Sequence, residues 1–83
     1  SADLSSSLRQ INGLGYVVWR DGPLQGYDRS NTLMKLAHLC YESGMTASQA
    51  QMVVRDADRR WGKFHGREDC DEQIGKIIRR AYE

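Results

Sequence analysis

Three segments of this 83-residue chain repeat one apolar spacing, i, i+3, i+4, i+7, and that repetition restricts the fold more than any other feature. The sets are Leu33, Leu36, Ala37, Cys40; then Ala50, Val53, Val54, Ala57, continued by Trp61; then Ile74, Ile77, Ile78, Ala81. Four side chains so spaced line one stripe of an α-helix, and each stripe must be buried against the others. The ends are signalled too. Gly44 suits the left-handed position just past a helix, Thr46 with Gln49 forms a capping box, and Asp69 with Glu72 repeats that signature. Gly62 and Gly66 punctuate the link between the second and third helices.

The first striped helix is apolar over more of its circumference, with Met34 and Tyr41 on one side of the stripe and Leu39 on the other. Only Asn31, Lys35, His38 and Glu42 read as a wet face, so further cover must come from the N-terminal third. There Leu4, Leu8 and Ile11 follow a helix cap at Asp3, and Asn12-Gly13 is expected to end that short helix. Tyr16 to Trp19, YVVW, has strand composition and is stopped by Asp21-Gly22-Pro23, which predicts an extended segment or small hairpin. The expectation is one all-α domain: a bundle of three main helices over residues 26–83, with residues 1–25 packing on it as a short helix and an extended segment.

Lys and Arg number 12 and Asp and Glu 11, for a net charge of +1, so any basic surface must arise from arrangement rather than bulk charge. Four of the 12 (Arg9, Arg20, Arg29, Lys35) precede residue 46, which leaves the second half charge-dense. Cys40 and Cys70 lie far apart in no pairing motif and are expected as free thiols in a reducing cytoplasm. No apolar run reaches the length of a membrane span or signal core, which predicts a soluble chain with no membrane partner. A start at Ser1 without methionine, together with the lack of a catalytic set, suggests a segment of a longer polypeptide.

The stretch DADRRWGKFH, Asp56 to His65, brackets two aromatic rings with cations. Trp61 continues the second stripe and reads as a core anchor at the helix end. Phe64 lies beyond the helix and is the better candidate for stacking on a base. Met52, Arg55 and Arg59 project opposite the stripe, as do Lys76, Arg79 and Arg80 on the third helix. One reading is a solvated face, with an Asp56–Arg60 pair at i, i+4 and a basic last turn complementing the helix dipole. The other is a phosphate stripe of Arg55, Arg59, Lys63, His65 and Arg67, because Arg55 and Arg59 at i, i+4 repel and a structural face has no reason to keep them. From Cys40, CYESGMTASQAQMVV also has the outline of a helix-turn-helix, which would send Ser48, Gln49, Gln51, Met52 and Arg55 into a major groove. His38, Cys40, His65 and Cys70 match no zinc spacing, and no catalytic triad or phosphate-cradling glycine loop is evident.

The run GYDRSNTLMKLAHLCYESGMTASQAQ, followed by ADRRWGKF and EQIGKIIRRAYE, resembles the helical primase C-terminal domain, or helix-bundle domain, of archaeo-eukaryotic-type primase-polymerases of phages and plasmids. Three features over about residues 26–83 carry the resemblance. They are the Arg29-Ser30-Asn31 lead into the first helix, the Gly44-x-Thr46-x-x-Gln49 corner, and a last helix ending in basic residues and Ala81-Tyr82. The resemblance implies a noncatalytic module between a primase-polymerase core and a helicase, engaging single-stranded template DNA and sometimes nucleotide. It supplies no catalytic residue and no obligatory cofactor. By their place at the helix start, Arg29 and Asn31 read either as a phosphate contact at the positive dipole end or as a helix cap plus a surface charge. Two other expectations stay open: a protein-interaction module docking a helicase or primase core through Met52, and a duplex-DNA reader.

Overall fold

In the computed structural model, which describes residues 3–83, the chain is all-α, with five helices and no strand among the described residues. They are α1 (Leu4–Gln10), α2 (Gly13–Asp21), α3 (Arg29–Glu42), α4 (Ala47–Trp61) and α5 (Cys70–Tyr82). The three striped segments are α3, α4 and α5, packed on one another, with α1 against α4 and α2 against both α3 and α4. Leu33, Leu36, Val53, Val54 and Ile74 are fully buried where the stripes meet. Each such side chain contributes about 1.5–3 kcal/mol on leaving water.

The caps follow local chemistry. Asp3 accepts the Ser6 N–H at 2.7 Å and starts α1. At the α3–α4 corner, Gly44 (φ +79) donates its N–H to Tyr41 O, and Met45 donates to Cys40 O, a Schellman turn that buries Met45. Thr46 and Gln49 form the reciprocal capping box of α4, at 3.2 and 2.9 Å. Tyr82, at the end of α5, donates its hydroxyl to Met45 O at 2.8 Å, so α5 runs antiparallel to α4.

Three sequence expectations fail. YVVW is helical: Asn12 does not merely end α1 but caps α2, accepting the Gly15 N–H at 2.9 Å. Once started, α2 buries Val18 and sets Trp19 against the core, contacts a lone extended segment without a partner strand lacks. A Cβ on Gly15 would fall 2.6 Å from Ile11 Cγ1, so a larger residue there would force the buried Ile11 side chain to shift. The Asp69–Glu72 box does not form either. Asp69 makes no cap bond, and its carboxylate instead accepts from Gln73 Nε2 and Arg67 Nη2, each at 3.1 Å. Finally, Phe64 is no exposed platform but a core residue at 6% exposure.

The N-terminal pair of helices is tied to the bundle by polar contacts. Ser43 Oγ accepts the Asn12 N–H at 2.9 Å and donates to Leu39 O at 2.8 Å, and Gln10 Nε2 donates to Gly44 O at 3.0 Å. Asp56 binds α2 to α4: it accepts Trp19 Nε1–H at 3.0 Å while Arg59 (2.7 Å) and Arg60 (3.2 Å) donate to the same carboxylate. Arg60 also lies over the Trp19 ring, 4.5 Å from its centroid, and donates to Trp19 O at 2.6 Å.

Candidate nucleic-acid interface

Five of the sequence-selected residues, the cations Arg29, Arg59, Lys63 and Arg67 together with His65, gather around the C-terminal end of α4. Helix α4 stops at Gly62, which adopts the left-handed conformation (φ +74) and donates its N–H to Asp58 O at 2.7 Å. The next carbonyls need donors, and Arg29 supplies them. From the first turn of α3 its Nη1 donates to Trp61 O and Gly62 O, both at 3.0 Å. This joins residues more than thirty positions apart and parks a guanidinium at the loop that carries Lys63, His65 and Arg67.

That loop is built on a buried carboxylate. Asp58, 1% exposed, accepts the Phe64 N–H at 2.8 Å and lies 3.7 Å from Cys70 Sγ, which fixes Phe64 inward and ties the start of α5 to α4. With the ring held, Lys63 Nζ and Arg67 Cζ stand 5.7 and 5.5 Å from its centroid, and His65 is exposed between them. Trp61 packs half-buried against the core as an anchor, its indole beneath Gly22 and its Nε1 without a hydrogen-bond partner among the described residues.

The other selected residues are distributed differently. Asn31 has an exposed side chain, and its N–H donates to Asp28 Oδ1 at 2.6 Å. The Asp28 carboxylate thus occupies the position an anion would take at the start of α3, leaving Arg29 as the cation there. Arg55 forms an ion pair with Asp71 across α4 and α5, and Arg59 pairs with Asp56 at 2.7 Å. The mutual repulsion expected of Arg55 and Arg59 is thereby offset, because each has its own carboxylate. Lys76 pairs with Glu72 at 3.7 Å, and Arg67 with Asp69 at 3.0 Å. Arg79 is exposed and folds back over Gly75, about 13 Å along α5 from its start, toward the far end of the bundle. Gln49 spends its amide on the α4 cap and on Gln10 Oε1 at 3.2 Å, and α1 lies along α4, so this part of the helix-turn-helix outline is covered. Met52, the expected docking residue, is half-buried.

Chemically, the α4 end can attract anions and donate hydrogen bonds. Arg29 binds neutral carbonyls and keeps its full charge, and Lys63 has no carboxylate partner among the described residues. The Arg67–Asp69 pair is bidentate (Nε–Oδ1 3.0 Å, Nη2–Oδ2 3.1 Å) but lies at the surface, so a phosphate that reaches Arg67 competes with the Asp69 carboxylate. The Asp56 carboxylate differs. Its burial alone would raise its pKa, but Arg59, Arg60 and the Trp19 indole outweigh this and hold it below the usual range.

The chain matches no family model and no solved structure. Among curated proteins, the transcriptional repressor NrdR of Microcystis aeruginosa is 26% identical over 62 residues. The match takes in 75% of this chain and 36% of the repressor, so the chain spans about a third of that protein's length.

Proposed function

We propose that this chain is a noncatalytic accessory domain of a replication primase-polymerase that grips single-stranded template DNA at the α4 end. The observation that carries the reading is the Arg29 clamp. A cation from the start of α3 is held on the last carbonyls of α4, where it joins Lys63, His65 and Arg67 around a rigid loop. Cations fixed in a small arc suit successive backbone phosphates, and none of them needs to read a base. The resemblance of residues 26–83 to primase C-terminal domains points the same way, and the similarity to a transcriptional repressor fits a nucleic-acid setting at a coarser level. In this role the domain would raise the local concentration of template beside a tethered primase core, with helicase as neighbour.

The test is fluorescence anisotropy of a labelled thymidine oligonucleotide across a salt series. Single-stranded DNA should bind weakly, with log K falling against log salt at about 0.7 per phosphate neutralised. Replacing Lys63 and Arg67 with Ala should flatten that slope by roughly one to two units, while loss of their contacts with the Phe64 ring lowers the melting midpoint by about 4–16 °C. No binding at low salt, or identical slopes, would sink the reading. A spectral shift with helicase or primase core but none with DNA would promote a docking module instead. Preference for one duplex sequence would promote a duplex reader.

A further inference from the structure

Resting on the template-grip reading, the geometry points to Tyr27 as the ring on which a template base stacks. With Phe64 buried and Trp61 half-buried, the aromatic surface at this end must come from elsewhere. The exposed aromatic residues are Tyr16, Tyr27 and Tyr41. Tyr16 leans on Trp19, with centroids 5.6 Å apart, and has Arg20 5.8 Å from its ring. Tyr41 meets Tyr82 edge-on at 5.1 Å. Tyr27 is 53% exposed, and among the described residues its ring has neither an aromatic nor a cationic partner.

Its position is also fixed. Residues Leu24 to Tyr27 form a turn closed by the Tyr27 N–H on Leu24 O at 3.0 Å, with Gly26 at φ +85 in the third position, as a type II turn requires. The Leu24 N–H donates to Oγ1 of the buried Thr32 at 3.3 Å, and the Leu24 side chain packs on the core. A rigid turn therefore presents an open ring two residues before Arg29, with the two Cα atoms at most about 7 Å apart. A base on Tyr27 would leave its phosphate within reach of the Arg29 guanidinium and the next one toward Lys63. Stacking of this kind tolerates any base, as a template grip requires.

The experiment measures oligothymidine affinity of the 83-residue chain at low salt for wild type, Tyr27→Phe, Tyr27→Leu and Tyr27→Ala, with a thermal melt of each. Tyr27→Phe should bind as wild type, and Tyr27→Ala should lose roughly 5- to 150-fold in affinity. Tyr27→Leu keeps apolar bulk without a π face and should fall close to Ala. Should the Ala variant melt early, the Phe and Leu pair still decides between ring and bulk. Wild-type binding with unchanged affinity in the Leu and Ala variants would overturn the assignment of Tyr27 and leave the cationic grip standing. An absence of binding by the wild type would overturn both.

Discussion

Phe64→Ala separates a core role from a surface role for the loop that follows α4. The ring is 6% exposed, and truncating a buried Phe to Ala costs about 3–5 kcal/mol. The Phe64 N–H to Asp58 bond at 2.8 Å survives the change, so the loss is the ring itself plus its contacts with Lys63 and Arg67. Cation–π contacts at such partly exposed sites add about 0.5–1 kcal/mol each. At about 0.05–0.15 kcal/mol per residue, a chain of 83 residues has a total stability of about 4–12 kcal/mol, so this one substitution removes a large share. For a domain of this size each kcal/mol moves the midpoint by about 4–8 °C, which places the drop from loss of the ring's burial alone at about 12–40 °C. Urea and thermal melts followed by far-ultraviolet circular dichroism would measure it, with Phe64→Leu recovering the greater part by refilling the cavity. An unchanged midpoint together with lost oligonucleotide binding would refute the burial argument and return Phe64 to the surface as a stacking platform.

Asp56→Ala should cost about 1.5–3 kcal/mol, because it strips acceptors from Trp19, Arg59 and Arg60 at once. Since the folded carboxyl titrates below its unfolded value of about 3.9, its contribution is fully present above that pH and is lost as pH falls through the folded value. The gap in melting midpoint between wild type and variant should therefore close below about pH 4. Burial pushes the Cys40 thiol up to about 12, and burial followed by the Asp58 carboxylate raises that of half-buried Cys70. A thiol reagent near pH 8 should modify Cys70 first and Cys40 only on unfolding; equal rates would contradict the packing of α3. Thr46→Ala removes the α4 capping box and should lower stability by about 0.5–2 kcal/mol in a denaturant melt.

The parts of the fold legible in the sequence were those whose physics is local. A stripe at helical spacing, a Thr46–Gln49 box and a turn glycine at Gly44 each declare themselves within a few residues, and all three appear in α3, α4 and their corner. Helix α2 runs against its local composition, because β-branched and aromatic residues favour strands on average. Its outcome depends on the Asn12 cap and on the docking of Trp19 against Asp56, 37 residues away. Phe64 follows no period, so nothing nearby announces that its N–H is claimed by Asp58. Asp69 carries the letters of a cap, but its carboxylate is taken by Gln73 and Arg67.

For the candidate site, the list of basic residues was readable but their electrical state was not, because a charge counts toward binding only after its partner is known. Arg55, Arg59, Arg67 and Lys76 all face carboxylates, yet those carboxylates differ. Asp71 is open to solvent at 84% side-chain exposure, whereas Asp56 is 12% exposed and bound by three donors. A phosphate can displace the first from Arg55 at little cost, since exposed pairs are individually weak. Displacing the second would strand a half-buried carboxylate beneath Trp19 and loosen α2, so Arg59 serves the fold before it serves a ligand. Arg29 reverses the logic of both: its partners are uncharged carbonyls, so the bonds that fix its position leave its charge intact. A residue locked in place and still fully charged has little left to lose on binding an anion, which makes Arg29, rather than the more conspicuous arginines of α4, the pivot of the proposed grip.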